Sequence, residues 1–173
     1  ALRTMFLIAS GAALLPASLR GAKGASVSLD SLKIDSDKEA LLAEFVETLI
    51  PKTDTPGAKE LKIHLFVMLM IDDCHNAADQ RILERGLEKL DGLAKEHFDK
   101  GFRACSTDQR LELLSSLKIK KKVSAELFAF NALVKKRAIQ GYLQSEYVMT
   151  RLLPHKMIPD PYDGYYPASK IMG

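Results

Sequence analysis

Tryptophan is absent from these 173 residues, aromatic residues make up only 7%, and there are two cysteines. So sparse an aromatic set excludes an extended stacking platform for nucleic acid or carbohydrate. Two cysteines alone fall short of the ligand count of a structural zinc site. There is no C-x-x-C-H for covalent haem attachment, no G-x-G-x-x-G and no G-x-S-x-G. Acid is missing from the front of the chain: nothing before Asp30 is negative, whereas Arg3, Arg20 and Lys23 are positive. The formal net charge of +3 resides there, and residues 26–173 balance to zero. A nucleic-acid binder would carry its excess charge on the folded body. The basic runs "KIKKK" (118–122) and "KKR" (135–137) therefore read as solvated helix faces and turns.

Charge is also lacking from "TMFLIASGAALLPASL", residues 4–19. That length suits a secretory h-region and falls short of the ~20 residues a spanning helix needs. With no polar face, the stretch is a poor amphipathic surface helix. Residues 1–25 therefore read as a signal-like leader on a protein exported to the periplasm. Small residues from Ala22 to Ser26 suit cleavage, while Lys23 interrupts an A-x-A pattern, so a cleaved and a membrane-attached leader both stand. In an oxidising compartment Cys74 and Cys105 could form a disulfide. A helical hairpin between them would instead bring Cys105 to the wrong end of the helix bearing Cys74, and pairing stays open too.

What is present is helical. Asp35 or Ser36 caps a helix to about Leu49, with a stripe of Leu41, Leu42, Phe45, Val46, Leu49 and Ile50. Pro51, Pro56 and Gly57 make "TDTPG" a rigid corner. From Ala58 to Cys74 a helix is predicted that is apolar almost all round, hence central. Asn76 starts another to about Phe98, closed by Gly101. Ser106 with Gln109 is a capping box for 107–117, ahead of Leu111, Leu113, Leu114 and Leu117. Ser124 caps a fifth helix to about Gly141. No β alternation and no internal repeat is found. The reading is all-α: a single helical core over 26–141 with about five main helices, behind the leader. Residues 142–173, rich in tyrosine and proline with a short helix near 145–153, read as an interface arm.

Candidate chemistry is thin. "DDCH" at 72–75 is the nearest approach to a ligand motif, and a carboxylate-bridged di-metal bundle needs E-x-x-H pairs on two helices. Glu96 and His97 are adjacent, the wrong offset. Asp72 and Asp73 point about 100° apart on a helix; one is expected to support the cap near 76–79 and the other to face solvent or a partner. Ser145, Glu146 and Tyr142 read as capping. No catalytic, cofactor-binding or metal residue is assigned. A freestanding exported helical ligand-binding protein is the alternative to a subunit.

The segments "IPKTDTPGAKELKIHLFV" (50–67), "DDC" (72–74) with a following D-Q pair, "GYLQSE" (141–146) and "PYDGYYP" resemble the small (gamma) subunit family of gluconate 2-dehydrogenases and related FAD-dependent sugar dehydrogenases, including glucoside 3-dehydrogenases. Pro51, Thr53, Asp54, Thr55, Pro56, Gly57, Ala58 and His64 match the first motif, Asp73 and Cys74 the second, and Gly141, Tyr142, Ser145 and Glu146 the third. "CHNAADQ" lacks the prolines often found there. The resemblance implies a non-catalytic subunit that stabilises a large FAD-containing glucose-methanol-choline type subunit and assists its twin-arginine export. A c-type cytochrome carrying haem c would accept the electrons. Residues expected at the partner interface are Thr53, Asp54, Thr55, Pro56, His64, Tyr142, Tyr147, Tyr162, Tyr165 and Tyr166.

Overall fold

Short-range capping chemistry sets most of the helix ends. The computed structural model describes residues 25–119, 123–153 and Tyr165; the leader expectation, and most of the arm, lie outside the described residues. Five α-helices follow in order: α1 (Ser36–Leu49), α2 (Ile63–Cys74), α3 (Ala77–Phe98), α4 (Thr107–Leu117) and α5 (Ala125–Leu143). A 3-10 turn at Phe102–Ala104 joins α3 to α4, and a π-helical turn at Val148–Leu152 follows α5. Among the described residues there is no β-strand, and no helix is long and apolar enough to cross a membrane.

Asp35 accepts the Lys38 N–H at 2.8 Å, and Asn76 accepts those of Ala78 and Asp79. Ser106 and Gln109 form the reciprocal capping box, and Ser124 accepts the Leu127 N–H. Each satisfies backbone donors that a helix start leaves open.

One helix start falls elsewhere than expected and one helix end is closed by another residue than expected, both through a left-handed residue. α2 begins at Ile63 because Lys62 has φ 53°, which interrupts helical bonding across 58–62. Asp99, with φ 54°, closes α3 before Gly101 is reached. Gly101 serves another purpose: Asp91 accepts the Phe102 N–H at 2.9 Å, and a Cβ on Gly101 would lie 2.7 Å from the same carboxylate.

The core is built on α1 and α5. α5 packs most extensively on α3 and α2, while α1 touches the other four helices and the 3-10 turn. Phe45 of α1 stands between Phe102 and Phe130, with ring centroids 5.9 Å and 5.1 Å away. α3 approaches Phe130 closely enough that a Cβ on Gly86 would overlap its ring. α2 is less central than its composition suggests. Val67, Met68 and Ile71 are buried, but Leu69 is exposed, and Leu65, Phe66 and Met70 are half-buried. On α4, Leu113, Leu114 and Leu117 enter the core and Leu111 does not.

Before α1, residues 25–34 form a strap without regular secondary structure, with Leu32 and Ile34 buried. Asp72, near the end of α2, accepts the N–H groups of Asp30, Ser31 and Leu32 at 2.6, 2.9 and 2.8 Å. Glu39 of α1 accepts Ser26 N–H at 2.6 Å and Ser26 Oγ–H at 2.5 Å, and Glu84 of α3 accepts Lys33 N–H. Asp72 thus secures the strap; Asn76 caps its own helix without either aspartate, and Asp73 is exposed.

Candidate partner interface

The corner at 51–62 owes its shape to α1. Glu47 accepts the N–H of Lys52 at 3.2 Å and of Lys59 at 2.7 Å. A Cβ at position 57 would overlap the Glu47 carboxylate, so a side chain there would push that carboxylate off the N–H groups it holds. The Ala58 N–H reaches Ile50 O at 2.9 Å, and Thr53 N–H reaches Thr55 O at 3.0 Å, which tightens the tip. Glu44 adds ion pairs to Lys59 and, at 2.6 Å, to Arg110 of α4. Burial pushes the Glu44 carboxyl up, but hydrogen bonds from Lys59 and Arg110 and their charges outweigh it and hold it below its ordinary range. Arg110 also donates to Phe102 O and Arg103 O, with its guanidinium over the Phe102 ring. Three elements therefore fix a corner whose tip residues, Thr53 and Asp54, are exposed.

The structure joins two of the sequence motifs here. Tyr142, on the last turn of α5, places its hydroxyl 3.1 Å from Thr55 Oγ1 and 3.2 Å from Pro56 O. One residue earlier, a Cβ on Gly141 would overlap the Phe66 ring of α2. Ser145 donates to Tyr142 O at 2.6 Å and receives the Val148 N–H at 3.4 Å, so it ties the end of α5 to the helical turn that follows. Tyr142→Phe should remove the clasp and nothing else. It is expected to cost about 1 kcal/mol and to lower Tm by roughly 2–4 °C in a thermal melt of the full chain.

The other expected contacts are dispersed. His64 is inward, its side chain 12% exposed and Nε2 3.8 Å from Glu39 Oε1. Burial holds its pKa below the ordinary value against the pull of Glu39. Tyr147 is half-buried beside an open groove of about 660 Å³ between α2 and the end of α5, whose lining includes Leu61, Phe66 and Gly141. Tyr165 is exposed; Tyr162 and Tyr166 lie outside the described residues. Cys74 and Cys105 are free thiols, Cys74 exposed and Cys105 buried with its Sγ 3.5 Å from Gly101 O. The KKR run is also not uniformly solvated: Lys135 and Lys136 are exposed, but Arg137 turns in and donates to His75. Among the described residues, no group of three or more histidine, cysteine or acidic side chains could hold a metal.

Sequence reasoning missed Glu44 and Glu47 as architects of the corner, Asp72 as the anchor of the strap, and the His75–Arg137 contact. Apart from the contact of Glu47 with Lys52, they act across 12 or more residues of chain, so no local spacing marks them.

A family model described as gluconate 2-dehydrogenase subunit 3 matches residues 36–161. No curated protein and no solved structure matches the chain.

Proposed function

The chain belongs to the gluconate 2-dehydrogenase subunit 3 family, and so to the accessory subunits of a dehydrogenase complex; from that premise we propose that it is the non-catalytic small subunit that stabilises the flavoprotein. The partner would be a large FAD-containing subunit of the glucose-methanol-choline type, with haem c in a cytochrome as the electron acceptor. The leader would supply the export address for the assembled, folded complex, delivering it to the periplasm. In this reading the small subunit binds no flavin or haem itself.

One observation supports the reading above others. Thr55, Pro56 and Tyr142, from motifs far apart in sequence, meet to brace an exposed corner. A loop held rigid before binding loses little conformational entropy when a partner covers it, so more of the contact energy appears as affinity. Thr53 and Asp54 at the tip are the contacts the partner would meet first, with the tyrosines of the arm as a peripheral strip.

The test is co-purification of the complex with flavin and haem content measured. Asp54→Lys should weaken association by roughly tenfold, since a reversed charge at a docking tip acts on both encounter and register. Deleting 157–173 should lower recovery of the flavoprotein complex and leave its sugar preference unchanged. A chain that purifies alone with stoichiometric flavin, or a complex whose yield and heat tolerance ignore both changes, would refute the proposal.

A further inference from the structure

At the junction of α2 and α3, His75 sits with its side chain only 10% exposed and both ring nitrogens engaged. Nδ1 lies 2.8 Å from Asp79 Oδ2. Nε2 receives the Nε–H of Arg137, from α5, also at 2.8 Å. Arg137 is held in turn by Gln140, whose Oε1 accepts Nη1–H at 2.6 Å. Gln80 pins the backbone of the same corner, donating to Asp72 O at 3.0 Å.

The protons in this chain of contacts are fixed by valence. A guanidinium in a protein stays protonated and has no acceptor. The Arg137–His75 contact therefore exists only if Nε2 offers a lone pair. The single proton of the neutral ring must then be on Nδ1, where it is donated to the Asp79 carboxylate. The tautomer is thus dictated by the partners.

We propose that His75 is a proton-operated latch between the α2–α3 corner and α5. A proton added at Nε2 converts the acceptor into an N–H and leaves it facing the N–H of a second cation. Arg137 must then swing away, while the imidazolium keeps Asp79. The charged groups facing the ring are Asp79 from α3 and Arg137 from α5. On α2 itself Asp72 and Asp73 precede it, the former committed to the strap N–H groups and the latter exposed. Opening the latch leaves the packing of Phe66 on Gly141 in place. What is lost is the polar bolt one turn before Tyr142, the residue that braces the corner. The released guanidinium becomes available to a carboxylate outside the chain.

Nitrogen-15 NMR of the histidine rings and arginine Nε–H groups in the full chain, followed as the pH is lowered, tests this directly. While neutral, His75 should show the Nδ1–H tautomer, and the Arg137 Nε–H should be shifted by its bond to the ring. Both signatures should vanish together as His75 takes up a proton. Arg137→Met should leave the proton on Nδ1, because the Asp79 carboxylate still requires a donor there, while Nε2 loses its hydrogen bond and its nitrogen-15 shift moves to that of an unbonded lone pair. A wild-type His75 carrying its proton on Nε2 when neutral would overturn the latch. So would an Arg137 Nε–H signal that stays unchanged while His75 titrates; both readouts come from the unaltered chain.

Discussion

Replacing Phe45 with alanine is expected to destabilise the fold by about 4 kcal/mol, in the range of about 3–5 found for buried phenylalanine truncations. Phe45 has no exposed surface and joins α1 to the 3-10 turn through Phe102 and to α5 through Phe130. Truncation removes the apolar area of the ring and leaves a cavity, and the tilted ring pairs contribute roughly 0.5–1.5 kcal/mol more each in favourable cases. The cavity cannot close easily. Gly86 already lets α3 approach the Phe130 ring to contact, so that ring has no slack with which to follow the deletion. Domains of this size are stable by only about 5–15 kcal/mol, so the variant should retain a small part of its stability. Urea unfolding of the full chain measures it: the midpoint should fall sharply with the slope nearly unchanged. Phe45→Leu, which leaves a smaller void, should cost less than half as much. A loss under about 1 kcal/mol for the alanine variant would mean the three-ring cluster does not organise the core.

Asp72→Ala should be the most damaging polar substitution, at about 2–4 kcal/mol, because hydrogen bonds to a charged group are each worth about 1.5–3 and a buried donor left unpaired is costly. Asp72 is 7% exposed, and its carboxylate serves three consecutive backbone N–H groups. Of these, the Leu32 N–H is buried and cannot turn to water. Release of 30–32 would also uncover Leu32 and Ile34. Limited proteolysis should therefore cut Asp72→Ala within 25–34 well before it cuts the helices, while the wild type resists there. Hydrogen exchange at Asp30, Ser31 and Leu32 should accelerate in step.

The same site has a signed pH dependence. Burial alone raises the Asp72 pKa, but the N–H groups of Asp30, Leu32 and Ser31 together hold it below its ordinary value of 3.8. A carboxyl whose folded pKa lies lower than its unfolded one contributes stability that is complete above the unfolded value. That contribution is lost as pH falls through the folded one. The strap should thus stay in place at neutral pH and loosen only in acid below about pH 4. Asp72→Ala should remove this part of the acid dependence, so the stability curves of variant and wild type should converge as pH falls. Curves that remain parallel would place the acid sensitivity elsewhere.

Much of the secondary structure was legible because its determinants are close together along the chain. Asp35, Asn76, Ser106 with Gln109, and Ser124 each act within one turn of the helix they begin. The stripe of α1 likewise named most of its own buried residues. Where the reading went astray, a neighbour distant in sequence had intervened. The corner clamped by Glu44 and Glu47 accompanies the start of α2 at Ile63, past the alanine from which helical spacing would begin it. Leu111 fits the stripe of α4 but is exposed, because α4 packs on α1, α3 and α5 through the flank that carries Leu113, Leu114 and Leu117. His64, placed at the interface by its motif, is instead turned toward Glu39.

The sequence by itself determined an all-helical body, the side-chain caps that start four of its five helices, and membership of a subunit family through motifs in the corner and at the end of α5. Only the tertiary structure decided which carboxylates hold backbone rather than meet a partner, that Tyr142 braces Thr55 and Pro56, and that Arg137 is spent on His75. The physical reason is the range of the forces involved. Helix signals act over one turn, whereas a buried carboxylate takes whichever N–H groups the packing of distant segments delivers to it.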